Sequence, residues 1–297
     1  MAGETAGSAP EGLHLRARAK VNLYLHVTGR RPDGYHELDS LMVFPDVGDE
    51  LFLARCPGFS LEMSGPFATA VAVDGPDNLV FRAARGLQDR LGAERLPGAY
   101  LRLQKRLPVA AGIGGGSADA AATLRGLIRL WDLEVAETEL QSLALELGAD
   151  VPPCLASRPV FARGIGEILT PTPPLPSFWL VLVNPGVPVQ TPAVFQARQG
   201  AFSVCAEWTT AGDLDALLDL LAATRNDLEP PALALEPQIG AALDALRATR
   251  ACRLARMSGS GATCFGIFGE AAAAAAAAAA LSSAHPGWWV AAAPVDG

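Results

Sequence analysis

Four glycines within five positions, Gly112, Gly114, Gly115 and Gly116, followed by Ser117, form the stretch whose spacing most directly suggests chemistry. They lie in Pro108-Val109-Ala110-Ala111-Gly112-Ile113-Gly114-Gly115-Gly116-Ser117-Ala118, which runs straight into Asp119-Ala-Ala-Ala122. Glycine has no Cβ, so it takes positive φ and lets the backbone come close to a ligand. Ser117 is a natural N-cap and the alanines after it favour helix. Leu124, Leu127, Ile128 and Trp131 then recur at helical spacing. A glycine loop entering a helix N-terminus offers converging N–H groups and a positive dipole end to an anion, phosphate first of all.

The stretch differs from several commoner signatures. No Gly-Lys-Ser/Thr ending follows, as a Walker A loop requires, and serine occupies the third glycine position of a dinucleotide fingerprint. Neither Ser117 nor Ser260 has the flanking glycines of a nucleophile elbow, and the His-Arg-Asp and Asp-Phe-Gly of protein kinases are absent. A Gly/Ala-rich linker is the plain alternative, and the periodic helix that follows argues against it.

Other residues could join a site. Residues 13–27 alternate apolar odd positions with polar or amphipathic even ones, which reads as a half-buried strand with a bend midway. Lys20 and Asn22 then share a face, which a solvated strand surface explains at least as simply as a site. Asp150, in Gly148-Ala-Asp-Val-Pro-Pro153, reads by itself as the cap of a short helix with proline in its first turn. Arg30-Arg-Pro-Asp-Gly34 is a turn leading to Tyr35-His36. Met257-Ser-Gly-Ser-Gly-Ala262 is a second glycine turn, and an ordinary tight turn is an equal reading of it.

The elements that would hold these residues mix helix and strand. Strands are expected at 38–47, 49–53, 59–63, 100–107, 159–168, 179–183, 263–268 and 288–294. Helices are expected from a cap at Asp77 or Asn78 through Leu91, after a Thr138-to-Gln141 capping box and ending at Gly148, from Thr191-Pro192 through Phe195, and at 237–249. The alanine tract 271–281 reads as a structural helix, and residues 171–176 as a proline-rich break. The expected organisation is a disordered tail at 1–12, a first domain at 13–160 and a second at 161–297.

Composition narrows the function classes. The 297 residues carry a formal net charge of −8, which disfavours a nucleic-acid coat or binding to an anionic membrane. An acidic phosphate-binding protein must use local donors rather than a basic field. The cysteines, five in number and scattered without metal-type pairing, point to a reducing cytosol. No run reaches the ~20 apolar residues of a spanning helix. Residues 1–12 have neither the basic nor the apolar region of a signal peptide.

Taken together and in this order, four motifs resemble the GHMP kinase superfamily, whose members include galactokinase, homoserine kinase and mevalonate kinase. They are Ala19-Lys-Val-Asn-Leu-Tyr-Leu25 with its Gly34-Tyr-His36 turn, the glycine stretch at 108–122, Gly148-Ala-Asp-Val-Pro152, and Met257-Ser-Gly-Ser-Gly-Ala262. The glycine stretch alone marks the superfamily. The Lys-x-Asn strand, the Gly-Tyr-His turn and Gly-Ala-Asp-Val-Pro narrow the match to the branch whose acceptor is a cytidine diphosphate-linked sugar alcohol of the non-mevalonate isoprenoid route. The similarity spans roughly residues 14–295, and the departures (the tail, the alanine tract and the segment near Cys205) miss the motifs.

The resemblance implies a two-domain α/β (α+β) fold. Its N-terminal domain would be ribosomal-protein-S5-like, its C-terminal domain an α/β sandwich, with the active site in the cleft between them. It implies ATP and Mg²⁺ as cofactors and a cytoplasmic monomer or homodimer. Residues Pro108 to Ala118 would cradle the ATP phosphates, with the Ser117 hydroxyl contributing. Asp150 would be the general base for the acceptor hydroxyl and Lys20 its electrostatic partner. Asn22 would reach the sugar alcohol, while Tyr35, His36 and Phe195, with Thr191 nearby, would surround the cytosine. No protein ligand to the metal is assigned, and Asp119 either meets it through water or only complements the helix dipole. Homoserine or mevalonate as acceptor is the nearest competing expectation, but neither has a base for the Gly-Tyr-His turn to stack on. A silent nucleotide-binding regulator and a nucleic-acid module are more distant alternatives.

Overall fold

The structure is a computed structural model that describes residues 12–71, 78–92 and 97–296. The expected tail, except Gly12, and the alternative cap Asp77 lie outside the described residues.

The alternating segment over 13–27 folds as two strands in two different sheets. The first, β1 (Leu13–Arg18), pairs antiparallel with β4 (Gly48–Cys56), while β2 (Val21–Arg30) pairs with β3 (His36–Val43). The chain crosses over at Ala19 and Lys20, whose N–H groups donate to Val47 and Ile113 carbonyls, each at 2.9 Å. The half-buried expectation holds for β1, where apolar positions alternate with exposed ones, but not for β2, which is buried from Val21 to Val27. The reason is tertiary. Its polar face is covered by the second half of the chain, including Ser258, residues 203–208 and Asp227.

The first sheet has strand order β1-β4-β6-β5, with β5 (Phe59–Ser64) parallel to β6 (Gly98–Gln104). Against it pack α1 (Leu79–Leu91), α2 (Gly115–Trp131), α3 (Glu137–Leu147) and α4 (Val151–Ala156), around a core that includes Leu53, Leu87, Leu101, Leu124 and Leu127. Asn78 caps α1, its side chain accepting the Val80 N–H at 2.9 Å. Two expected caps are not used. Helix α2 begins two residues before Ser117, with Gly114 at the cap in the left-handed region, because the glycine loop itself turns into the helix. Helix α3 begins before Thr138, and Gln141 bonds Glu137 instead of closing a capping box. Gly148 ends that helix as expected.

In the second sheet, β2 and β3 are extended by β7 (Val160–Gly164) and β8 (Ile168–Pro171). The chain therefore leaves the N-terminal sheets at residues 172–177, beyond the expected division at 160/161. The third sheet, order β10-β11-β9-β12, comprises β9 (Phe178–Asn184), β10 (Leu254–Met257), β11 (Cys264–Phe268) and β12 (Trp289–Val295). Around it lie α5 (Thr191–Ala197), α6 (Leu214–Ala222), α7 (Glu229–Leu235), α8 (Gln238–Ala248) and α9 (Ala271–Ala284). The alanine tract packs through Ala274, Ala277 and Leu281, a structural helix.

One core joins the two halves. Val21, Leu23, Leu41 and Ile113 from the first meet Leu180, Leu182, Phe265 and Leu217 from the second. Burial on that scale fixes the halves against each other, so a cleft along their seam has defined walls. Among the described residues, no helix is long and apolar enough to cross a membrane.

Candidate active site

The seam opens into a cleft of about 820 Å³. The glycine loop forms one wall, and its shape depends on positive φ at Ala110, Gly112 and Gly114. Gly112 (φ 72°) lies against backbone: a Cβ there would come within 2.6 Å of the carbonyl oxygens of both Ser258 and Gly261. The second glycine turn returns the contact, since a Cβ on Gly259 would meet the Gly112 oxygen at 2.7 Å. Ser258 Oγ donates to the Gly112 carbonyl and accepts the Asn22 N–H, both at 3.1 Å. The second turn is thus a brace for the first, a role its sequence left open. Asn226 holds the brace by donating to the Met257 and Gly259 carbonyls.

Gly112, Gly114, Gly115, Gly116 and Ser117 face the cleft at the N-terminus of α2, where N–H groups lack intrahelical partners. Ala110 and Ala111 line it as well. Pro108 and Val109 line instead a smaller pocket of about 190 Å³, on the other flank of the loop. Ile113 and Ala118 line neither pocket; both side chains are buried in the core.

Across from the loop, the crossover between β1 and β2 delivers Lys20 into the cleft. Its Nζ lies 3.2 Å from Asp150 Oδ2 and donates to Asn22 Oδ1 at 3.1 Å. Asn22 Nδ2 donates to Ser40 Oγ, which donates to the Tyr24 carbonyl, so the amide cannot turn freely. Neither plain reading survives here. Lys20 lies in the buried crossover rather than on a solvated strand face, and Asp150, although at the cap position of α4, makes no capping bond. Lys20 is 5% exposed and Asp150 42%, so an entering ligand meets the carboxylate while the ammonium supports it from behind. Arg125, on α2, holds the far end of α4 by donating to the Cys154 and Leu155 carbonyls.

The other end of the cleft is aromatic. His36 and Phe195 stack with centroids 4.8 Å apart and planes 19° apart, leaving no room for a third ring between them. Burial, then the guanidiniums of Arg30 and Arg198, hold the His36 imidazole below its ordinary pKa. It is therefore neutral at pH 7, with one donor and one acceptor nitrogen. Tyr35 stands at the rim, 61% exposed, and Thr191 shares a 2.8 Å hydrogen bond with Ser260.

Asp119 lies beyond the first turn of α2, so the dipole role does not describe it. It is buried and bonded to Lys105 Nζ at 2.6 Å, on the inner side of the helix. Lys105 and its other partner, Asp49, carry no local signal of their pairing: Lys105 continues one expected strand, and Asp49 opens another. Among the described residues, no group of three or more His, Cys, Asp or Glu could hold a metal ion. With Asp119 tied to Lys105 and Asp150 to Lys20, the donor set fits only a magnesium ligated mainly by phosphate oxygens and water.

Comparison with known proteins matches this arrangement to named families. The model for the GHMP kinases N terminal domain matches residues 78–158, and that for the GHMP kinases C terminal matches residues 205–287. A 4-diphosphocytidyl-2-C-methyl-D-erythritol kinase of Paramagnetospirillum magneticum is 56% identical over 281 residues, covering 94% of this chain and 97% of the relative. The crystal structure of a 4-(cytidine 5'-diphospho)-2C-methyl-D-erythritol kinase superposes with a TM-score of 0.79 at 36% identity, covering 96% of this chain and all of that one (100%). A homoserine kinase from Cytophaga hutchinsonii shares the fold at a TM-score of 0.73 and 19% identity, covering 99% of this chain and 98% of its own.

Proposed function

Because the chain belongs to the GHMP kinases, and among them to the 4-diphosphocytidyl-2-C-methyl-D-erythritol kinases, we propose that it transfers the γ-phosphoryl group of ATP to the 2-hydroxyl of 4-diphosphocytidyl-2-C-methyl-D-erythritol. The products are the 2-phosphate and ADP, on the non-mevalonate route to isopentenyl diphosphate. The observation that carries the site assignment is the Lys20–Asp150 pair, set in one cleft between the glycine loop and the His36–Phe195 stack.

The nucleoside of ATP would occupy the smaller pocket, walled by Val71, Leu79, Val80 and Leu103, which shares Ala110, Gly115 and Gly116 with the cleft. The phosphates would then cross the N-terminus of α2, met by backbone N–H groups and the helix dipole. Magnesium would come with the nucleotide, with Ser117 the side-chain oxygen closest to hand on the loop, and would offset phosphate charge.

Asp150 would receive the proton of the acceptor hydroxyl as that oxygen bonds the γ-phosphorus and the bond from phosphorus to the ADP oxygen breaks. Lys20 would stabilise the charge growing on the attacking oxygen. Asn22, fixed by Lys20 and Ser40, would orient the sugar alcohol. The cytosine would stack on the exposed Tyr35 and on the free edge of the Phe195–His36 pair, with the neutral imidazole reading its edge. That aromatic end favours a cytidyl acceptor over homoserine or mevalonate, which carry no ring.

Arg30 lines the cleft beside His36, and among the described residues no ion pair engages it. It would meet the diphosphate that links base to sugar alcohol. Arg30→Ala is expected to raise KM for the cytidyl acceptor about tenfold with KM for ATP unchanged, and Arg30→Lys to recover part of the loss. Steady-state kinetics in both substrates checks this; an unmoved acceptor KM removes Arg30 from the site.

The function is tested by ADP release with ATP–Mg²⁺ and the cytidyl acceptor, beside homoserine and mevalonate. Turnover with the cytidyl acceptor alone is expected. Turnover with either control instead would discard the base pocket while keeping the phosphate loop. A cytoplasmic enzyme fits the five free cysteines.

A further inference from the structure

A second group of charges is buried beneath the glycine loop, away from the acceptor. Asp49, Lys105 and Asp119 are 0%, 3% and 4% exposed. Asp49 Oδ1 accepts the N–H groups of Arg106 at 2.5 Å and Leu107 at 2.8 Å, while Asp49 Oδ2 accepts Lys105 Nζ. Lys105 Nζ also donates to Asp119 Oδ2 at 2.6 Å.

The placement of these bonds along the chain is what matters. Residues 106 and 107 are the last before the loop, and Asp119 lies near the start of the helix that follows it. Between them the loop carries positive φ at 110, 112 and 114 and no regular structure until Gly115, so its conformation is costly in entropy to hold. We propose that Asp49, Lys105 and Asp119 form a clamp that closes the loop at both ends, and that the two carboxylates are positioning residues for the ATP phosphates. Asp49 grips the entry directly and the exit through Lys105.

The charges of the clamp are unequal. Two carboxylates share one ammonium, and an unpaired charge at this depth is expensive. Burial, with the charge of Asp49 adding to it, pushes the Asp119 carboxyl well above the usual range against the pull of Lys105. Lys105 stays protonated because Asp119 and Asp49 outweigh the burial that opposes its charge. An asparagine at 119 keeps an oxygen where Oδ2 accepts Lys105 Nζ, so the amide preserves the bond that alanine removes.

The clamp rests on the ATP reading for its purpose but not for its geometry, so the test has two arms. Amide hydrogen exchange over residues 106–118 is measured for the wild type, Asp49→Ala, Asp119→Ala and Asp119→Asn, with residues 179–183 of β9 as an internal reference. KM is measured in parallel for ATP and for the acceptor. In the alanine variants, exchange over 106–118 should accelerate about tenfold or more while the reference stays unchanged. KM for ATP should rise about tenfold or more and KM for the acceptor stay within about twofold. Asp119→Asn should return both readouts close to wild type. If Asp49→Ala fails to fold, the two Asp119 variants decide the matter.

Unchanged exchange over 106–118 in Asp119→Ala overturns the clamp. So does equal acceleration in the reference segment, or an asparagine variant as damaged as the alanine one. A wild type that does not turn over ATP would sink the kinase reading, and the exchange arm would still decide the clamp.

Discussion

Asp150→Asn is expected to lower kcat about 10³-fold while KM for ATP changes less than about threefold. The substitution keeps the size of the side chain and removes its capacity to take a proton. Because Asp150 makes no capping bond to α4, the helix loses nothing local. Lys20, nearly fully buried, would be left facing an amide at the place of its 3.2 Å ion partner. The ATP side of the cleft is built from other elements, so nucleotide binding should survive. Single-turnover kinetics with saturating ATP separates the step. A variant with wild-type kcat would remove Asp150 as the base and leave it only an orienting role.

Gly112→Ala tests the loop by geometry alone. The glycine has φ 72°, and an added Cβ would lie 2.6 Å from two carbonyl oxygens and 2.9 Å from the Gly261 nitrogen. Those neighbours are backbone of the bracing turn and cannot swing away as a side chain would. Either the two turns separate or the loop changes its φ, and both displace the proposed phosphate cradle. The variant should lose about 3–5 kcal/mol of stability, from left-handed strain of about 1–2 kcal/mol plus the clash. Its kcat/KM for ATP should fall at least about 100-fold. Gly34→Ala is the control: φ is 93° but nothing lies within 4 Å of its Cβ, so only the strain remains. Thermal unfolding of both variants checks the contrast. Equal losses would mean that the packing of the two turns contributes nothing.

The same contrast explains what could be read along the chain. The glycine loop was legible because its requirement is local: positive φ and an open helix N-terminus are written into residues 112–117. The strand alternation of 13–18, the helices at 191–197 and 238–248, and the terminal strand were legible for the same reason. Caps were less so. Ser117 and Thr138 have the right chemistry for N-caps, but each helix begins earlier than its best capping residue.

Residues whose role depends on a distant partner could not be read from their neighbours. Lys20, on its own strand, looked like one cation on a solvated face, and only the arrival of Asp150, from 130 positions on, makes it half of an ion pair. Ser258 gains meaning from Gly112 and Asn22, and Asp49 from residues 105–107. Motif resemblance supplied the first of these and missed the last. Asp119 was visible, but its burial and its bond to Lys105 are invisible in sequence.

The sequence by itself determined most of the elements, the glycine loop and, through its motifs, the family. The tertiary structure alone decided which polar groups became buried partners, where β1 parts from β2, and how the second glycine turn braces the first. Periodicity and turn chemistry act over a few residues and are encoded there. Ion pairing, burial and backbone-to-backbone contact act through space, and the chain brings those partners together only by folding.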